Sequence, residues 1–169
     1  MNDGTELHVL LAGYWVIIEI PVQWGDQDAF GHVNNVVYFR WFESARIAYF
    51  RRIGIMKYLG AEQVGPILAA AACDYRRSIV FPDTVRVGIR STRIGRSSIG
   101  LEHRIVSLEQ KAIAAEGTST AVVYNYAAGR PHPVPDPVRD AIDELERRDR
   151  PGSSDPPSPG SILRAPTRR

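Results

Sequence analysis

The sequence predicts an α+β domain, an antiparallel sheet with helices to one side and curled around one long helix. Three observations carry this. One early run alternates apolar and polar residues with a period of two. A single uninterrupted run from Asn35 to about Ile53 is apolar over most of a helical circumference. Four further strand-like runs follow, joined by connections short enough for antiparallel pairing.

The first strand is read from Val16, Ile18, Ile20, Val22 and Trp24 on one face, with Glu19 and Gln23 on the other. Pro21 in this run suggests an edge position or a bulge. Residues 1–13 read as a loose leader. The apolar stretch from Leu7 to Ile18 is interrupted by His8 and Gly13, and Asp3 and Glu6 stand where a signal peptide would be positive. It is also shorter than the ~20 residues that span a bilayer. No membrane span and a cytoplasmic location are expected.

A polar loop from Trp24 to Asn34 leads into the long helix. Asn34 suits the N-cap, Gly54 the left-handed position past the end, and Arg51 and Arg52 the last turn, where cations favour the helix dipole. Apolar residues nearly all round imply that the helix is enclosed on several sides. Arg40, Glu43 and Arg46 form a polar strip whose spacing allows pairing.

Residues 54–66 read as a connection with a short helix before Gly65 and Pro66. Strands are expected near 67–79, 83–94, 97–108 and 111–126, and Asp136 and Pro137 begin a terminal helix that runs to about Arg148. Residues 149–169 are rich in Pro, Ser, Gly and Arg and are expected to be disordered. The organisation is thus a leader at 1–13, one domain at 14–148 and a tail at 149–169.

Composition excludes several functions. A chain of 169 residues, 44% hydrophobic and 24% charged, with a net charge of +2, is an ordinary globular chain with no electrostatic demand for nucleic acid. Cys73 is the only cysteine, so no intrachain disulfide can form, and it reads as a small buried hydrophobe. Asp26, Asp28 and His32 are metal-ligand types, but no fourth ligand accompanies them and no metal is expected.

The chemistry concentrates at Asp28 to Asn35. Peptide N–H groups at a helix start lack intrahelical acceptors and carry partial positive charge. They can hold the oxygen of a carbonyl as it becomes negative in acyl transfer. A carboxylate beside them, Asp28, can attack the carbonyl or take a proton from water. A thioester suits so sparse a site, because a leaving thiolate of pKa about 8–9 requires little acid assistance. The ordinary alternative is that Asp28 is a cap or a solvated turn residue and His32 a turn residue or a satisfied hydrogen-bonding histidine.

The run Asp26-Gln27-Asp28-Ala29-Phe30-Gly31-His32-Val33-Asn34-Asn35, then Tyr38 and Phe42-Glu43-Ser44-Ala45-Arg46, resembles the signature of 4-hydroxybenzoyl-CoA thioesterase-like proteins of the hotdog acyl-CoA thioesterase superfamily. Phe81-Pro82-Asp83-Thr84-Val85, Ile94-Gly95-Arg96-Ser97-Ser98 and the segment from Gly129 to Pro135 resemble later family turns, so the likeness spans roughly 14–147. It implies a hotdog fold, with five antiparallel strands wrapped around the helix, and hydrolysis of an acyl-CoA to free acid and CoA.

The resemblance also implies that Asp28 is the catalytic carboxylate and the backbone N–H of Asn35 the oxyanion donor. Gly31 then allows close backbone approach, Asn34 caps the helix, Asp26 supports the loop, and His32 matches the motif without an assigned role. Tyr38, Phe42 and Tyr75 are the implied acyl contacts, and Arg96 with Ser97 the implied contacts to CoA. No cofactor is implied, since coenzyme A belongs to the substrate. Dimers joined edge to edge, or tetramers of them, are implied as well.

Two rivals stand beside this reading. Enoyl-CoA hydratases of the same fold use an Asp and a His five residues later, whereas His32 lies six after Asp26 and four after Asp28. A non-catalytic hotdog domain could instead bind acyl-CoA or acyl-carrier protein, since fold alone does not settle function.

Overall fold

The computed structural model describes residues 8–60, 62–147 and 163–164. Among the described residues seven strands form one sheet: β1 Val16–Pro21, β2 Val64–Tyr75, β3 Thr84–Ile94, β4 Ser98–Ser107, β5 Ala112–Asn125, β6 Arg130–Pro131 and β7 Leu163–Arg164. The long strands are antiparallel in the order β2-β5-β4-β3-β1, β6 folds back on β5, and β7 lies parallel to β1. The curled five-stranded sheet with helix α1, Asn35–Arg52, is the expected α+β hotdog arrangement. Helix α2, Asp136–Arg147, follows the sheet.

Helix α1 starts where local chemistry says it should. Asn34 has extended backbone and its side chain accepts the Val36 N–H at 3.0 Å. At the other end Ile53 caps the helix and Gly54 takes φ +75°, which a residue with a Cβ adopts only at a cost. Val37, Tyr38, Trp41, Phe42, Ala45, Tyr49 and Phe50 pack into the main core. The enclosure is less complete than the apolar sequence suggests: Val36 is 64% exposed, and Arg40 and Glu43 face outward, because the sheet wraps only one side of the helix. The expected polar strip is also split, with Arg40 reaching back to Asp26 and Arg46 buried.

The sheet accommodates the helix through a glycine. A Cβ at Gly117 of β5 would lie 2.5 Å from the Phe42 ring and 2.6 Å from the Ala72 carbonyl oxygen. The second neighbour is backbone and cannot swing away. Gly117→Ala is therefore expected to destabilise the fold by about 1–3 kcal/mol, an overpacking cost read from the shift in urea midpoint.

Three boundaries depart from the sequence reading. β2 begins at Val64, ahead of Pro66, because a missing N–H is tolerated on an edge strand. It ends at Tyr75 because the N–H groups of Arg76 and Arg77 both turn to the Ala114 carbonyl, at 2.8 and 3.0 Å. Trp24 leaves the β1 face and opens a 3-10 turn, Trp24–Asp26, where it is 75% exposed.

The leader is packed from Leu10 onward. Leu11 and Tyr14 are buried with Val106 on the sheet face opposite α1, in the space left by Gly88, and the Tyr14 hydroxyl donates to Glu102 at 2.5 Å. Within the tail, Leu163 and Arg164 pair with Ile18 and Glu19; the rest of it lies outside the described residues. Among the described residues no helix is long and apolar enough to cross a membrane.

Candidate active site

The loop between β1 and α1 is held almost entirely by its own polar groups. Asp26 is buried; its Oδ2 accepts the Gln23 N–H at 2.9 Å, Arg40 pairs with its Oδ1, and its carbonyl accepts the Asn34 N–H at 2.9 Å. The Val33 N–H donates to the Ile79 carbonyl at 2.8 Å, and Gln27 Oε1 accepts the Phe81 N–H at 3.1 Å, tying the loop to the segment entering β3. Asp26 supports the loop, and both of its oxygens are engaged.

Between these anchors the chain makes a tight turn. The Asp28 N–H donates to the His32 carbonyl at 2.8 Å, and the Gly31 N–H to the Asp28 carbonyl at 3.1 Å. Gly31 sits at φ +78°, with nothing within 4 Å of where a Cβ would stand. The turn geometry therefore requires the glycine, and crowding does not. Asp28 Oδ1 accepts the Phe30 N–H at 2.9 Å, while Oδ2 has no partner among the described residues. One oxygen orients the carboxylate and the other is available for chemistry.

This turn delivers Asp28, His32 and the start of α1 to one cleft of about 330 Å³. Asn35 lines the cleft, and no acceptor among the described residues meets its backbone N–H. Tyr38 and Tyr75 form part of the wall, their rings edge to face at 5.0 Å, and Arg76, Arg77 and Ser78 complete it from the end of β2. Burial pushes the Tyr38 hydroxyl up to about 12, against a hydrogen bond from the Ile79 backbone that works the other way. Cys73, next to this wall, has its thiol raised by burial. No hydrogen bond joins the side chains of Asp28 and His32 among the described residues.

Three of the implied contacts lie elsewhere. Phe42 is fully buried and stacks on His103, with ring centres 4.5 Å apart, so it does not line the cleft. It faces Gly117, and the sheet covers it. Arg96 and Ser97 sit at the opposite end of the sheet, in the turn joining β3 to β4. β3 leaves the cleft end at Thr84 and runs 11 residues before that turn, roughly 30 Å of strand. There the Arg96 carbonyl accepts the Val134 N–H at 2.8 Å. One chain does not bring them to Asp28.

The structure also assembles a buried polar group that the sequence did not announce. His103 of β4 is fully buried, and its Nε2 lies 2.8 Å from Ser119 Oγ of β5. Arg46 is 7% exposed, and Arg46 Nη1 and His103 Nδ1 are buried with no hydrogen-bond partner among the described residues. Burial, and then the Arg46 charge, drive the imidazole down to about 3. Strand pairing joins His103 and Ser119, and the packing of α1 on the sheet adds Arg46. The one local sign is an ionisable residue falling on the inward beat of an alternating strand, Leu101-Glu102-His103-Arg104-Ile105.

Among the described residues no group of three or more His, Cys, Asp or Glu side chains is placed to hold a metal.

Comparison with known proteins bears on what the cleft does. A family model described as the thioesterase-like superfamily matches residues 22–142. The protein YsmA of Bacillus subtilis (strain 168), which carries no assigned activity, is 32% identical over 91 residues, 54% of this chain and 60% of that one. The chain therefore spans less than two thirds of that relative. Among solved structures, the PA2801 protein of Pseudomonas aeruginosa is 40% identical with a TM-score of 0.69, over 76% of this chain and 98% of that chain. A thioesterase from Thermus thermophilus, solved with coenzyme A and Zn, is 36% identical with a TM-score of 0.71, over 82% of this chain and 98% of that one.

Proposed function

The chain belongs to the thioesterase-like superfamily, and from that premise we propose that it hydrolyses an acyl-CoA thioester, with Asp28 as its catalytic carboxylate. The observation that carries the reading is one cleft holding both halves of the chemistry. Asp28, whose Oδ2 has no partner among the described residues, and Asn35, whose backbone N–H has none among them either, line the same space at the positive end of an 18-residue helix. A thioester carbonyl oxygen held by that N–H gains a partner as its negative charge grows. Asp28 then either attacks the carbonyl carbon to give an acyl-enzyme anhydride that water cleaves, or removes a proton from the attacking water. Either route expels a thiolate that needs little protonation. The scheme calls on no resident cofactor.

Coenzyme A enters the reading through the solved Thermus relative and through the chain's own arginines. In the proposed homodimer two copies of β2 pair antiparallel, which sets the Val64 end of one strand beside the Tyr75 end of the other. Arg96 and Ser97 would then approach the partner's cleft, where they could meet CoA phosphate. The edge supports this: β2 is 12 residues long, its only strand neighbour among the described residues is β5, and Ile67 and Leu68 are 43% and 48% exposed. A long, apolar free edge is a template for pairing. Sedimentation velocity is expected to give a species of twice 18.8 kDa or a multiple of it, and a monomer at micromolar concentration would remove the dimer from the scheme.

The direct test is thiol release from a panel of short, long and aromatic acyl-CoAs. Turnover of at least one is expected. Binding of acyl-CoA without release from any of them would favour a non-catalytic acyl-CoA module.

A further inference from the structure

Tyr75 stands at the end of β2, where the edge strand meets the cleft. Its hydroxyl donates to the Asn35 carbonyl at 3.3 Å. Its ring lies edge-on to Tyr38 at 5.0 Å, and Tyr38 is 2% exposed and packs in turn on Trp41 at 5.2 Å. A half-exposed phenol is thus braced on a buried aromatic pair, with its polar end on the first residue of α1.

That residue lines the cleft, and no acceptor among the described residues meets its backbone N–H. Asn34 fixes the same turn from the other side, through the Val36 N–H at 3.0 Å. The first turn of a helix is its least constrained part, because its N–H groups have no intrahelical partners. A donor to a developing oxyanion must be held at a set position to be worth more than water, and an error of ångström size is costly.

Resting on the thioesterase reading above, we propose that Tyr75 is a positioning residue for hydrolysis. Its hydroxyl holds Asn35, so that the Asn35 N–H is aimed at the thioester oxygen. It gives up no proton and forms no bond to substrate. Its contribution appears when charge develops, in kcat, and hardly in substrate binding.

Tyr75→Phe keeps the ring and its contact with Tyr38 and removes only the hydroxyl. With an acyl-CoA that the native protein turns over, kcat is expected to fall about tenfold with KM within twofold, at unchanged Tm. The loss should be equal for the alkyl thioester and for an aryl thioester of the same acid, whose thiol is a better leaving group. A loss that vanishes with the aryl thioester would assign Tyr75 to protonating the leaving thiolate and overturn the positioning role. An unchanged kcat would also overturn it, with or without a fall in Tm. The carbonyl carbon resonance of Asn35, read by NMR, gives a test that needs no turnover. It is expected to shift in the variant, and an unchanged resonance overturns the proposal even if no acyl-CoA is hydrolysed. Native protein that hydrolyses no thioester would by itself sink only the catalytic reading.

Discussion

Asp28→Asn is expected to lower kcat for acyl-CoA hydrolysis by about 10³-fold, with the fold and the affinity for CoA retained. The replacement is well matched to the geometry. An asparagine Oδ1 still accepts the Phe30 N–H that Asp28 Oδ1 accepts at 2.9 Å, so the turn that shapes the cleft survives. The change is the loss of charge and basicity at the second oxygen, which has no partner among the described residues. A group with no structural bond to lose should cost little stability, within about 0.5 kcal/mol, as for other surface changes. Falls in both rate and Tm would mean that the carboxylate holds the loop together. A full rate with native Tm would mean that another group attacks or activates water. Single turnover in ¹⁸O-water, with hydroxylamine trapping, separates the two routes: label entering the Asp28 carboxylate, or a trapped anhydride, marks it as nucleophile, and label confined to the product acid with no trapped anhydride marks it as base.

The parts of this site that sequence makes legible are those built from neighbours along the chain. Asn34 caps its own helix, Asp26 holds its own loop, and Gly31 answers a turn closed between Asp28 and His32. Each is set by residues a few positions away, and so leaves a short motif. What is not legible depends on strand direction and register. Arg96 sits in a family-like turn, yet the eleven residues of β3 carry it to the far end of the sheet. Phe42 lies one turn beyond Tyr38 on the same helix face, so periodicity groups the two. Only the pairing of Gly117 with Cys73 and His103 shows that Phe42 is covered by sheet while Tyr38 reaches the cleft. The leader escapes a sequence reading for the same reason: nothing between residues 8 and 14 announces that Gly88 leaves room for Leu11 and Tyr14.

The buried imidazole of His103 is expected to make the protein acid-labile well above the range where carboxylates titrate. Its pKa in the folded protein is driven down to about 3 from 6.5, first by burial and then by the nearby Arg46 charge. As pH falls below 6.5 the unfolded chain takes up this proton and the folded protein does not, so stability is lost progressively and levels off only near pH 3. Between pH 7 and pH 5 that linkage amounts to about 2 kcal/mol from this one residue. His103→Gln cannot take up the proton and retains an amide able to meet Ser119 Oγ, now 2.8 Å from the ring. It should be less stable at pH 7, because the stack on Phe42 is lost, yet it should lose about 2 kcal/mol less than the native protein on going to pH 5. Urea denaturation at the two pH values measures both slopes. Arg46→Met should move the native slope toward the variant's, since removing the cation lets the imidazole accept a proton more readily in the folded state. Equal slopes in native protein and His103→Gln would mean that His103 reaches solvent and titrates alike folded and unfolded, and the sealed core beneath α1 would have to be redrawn.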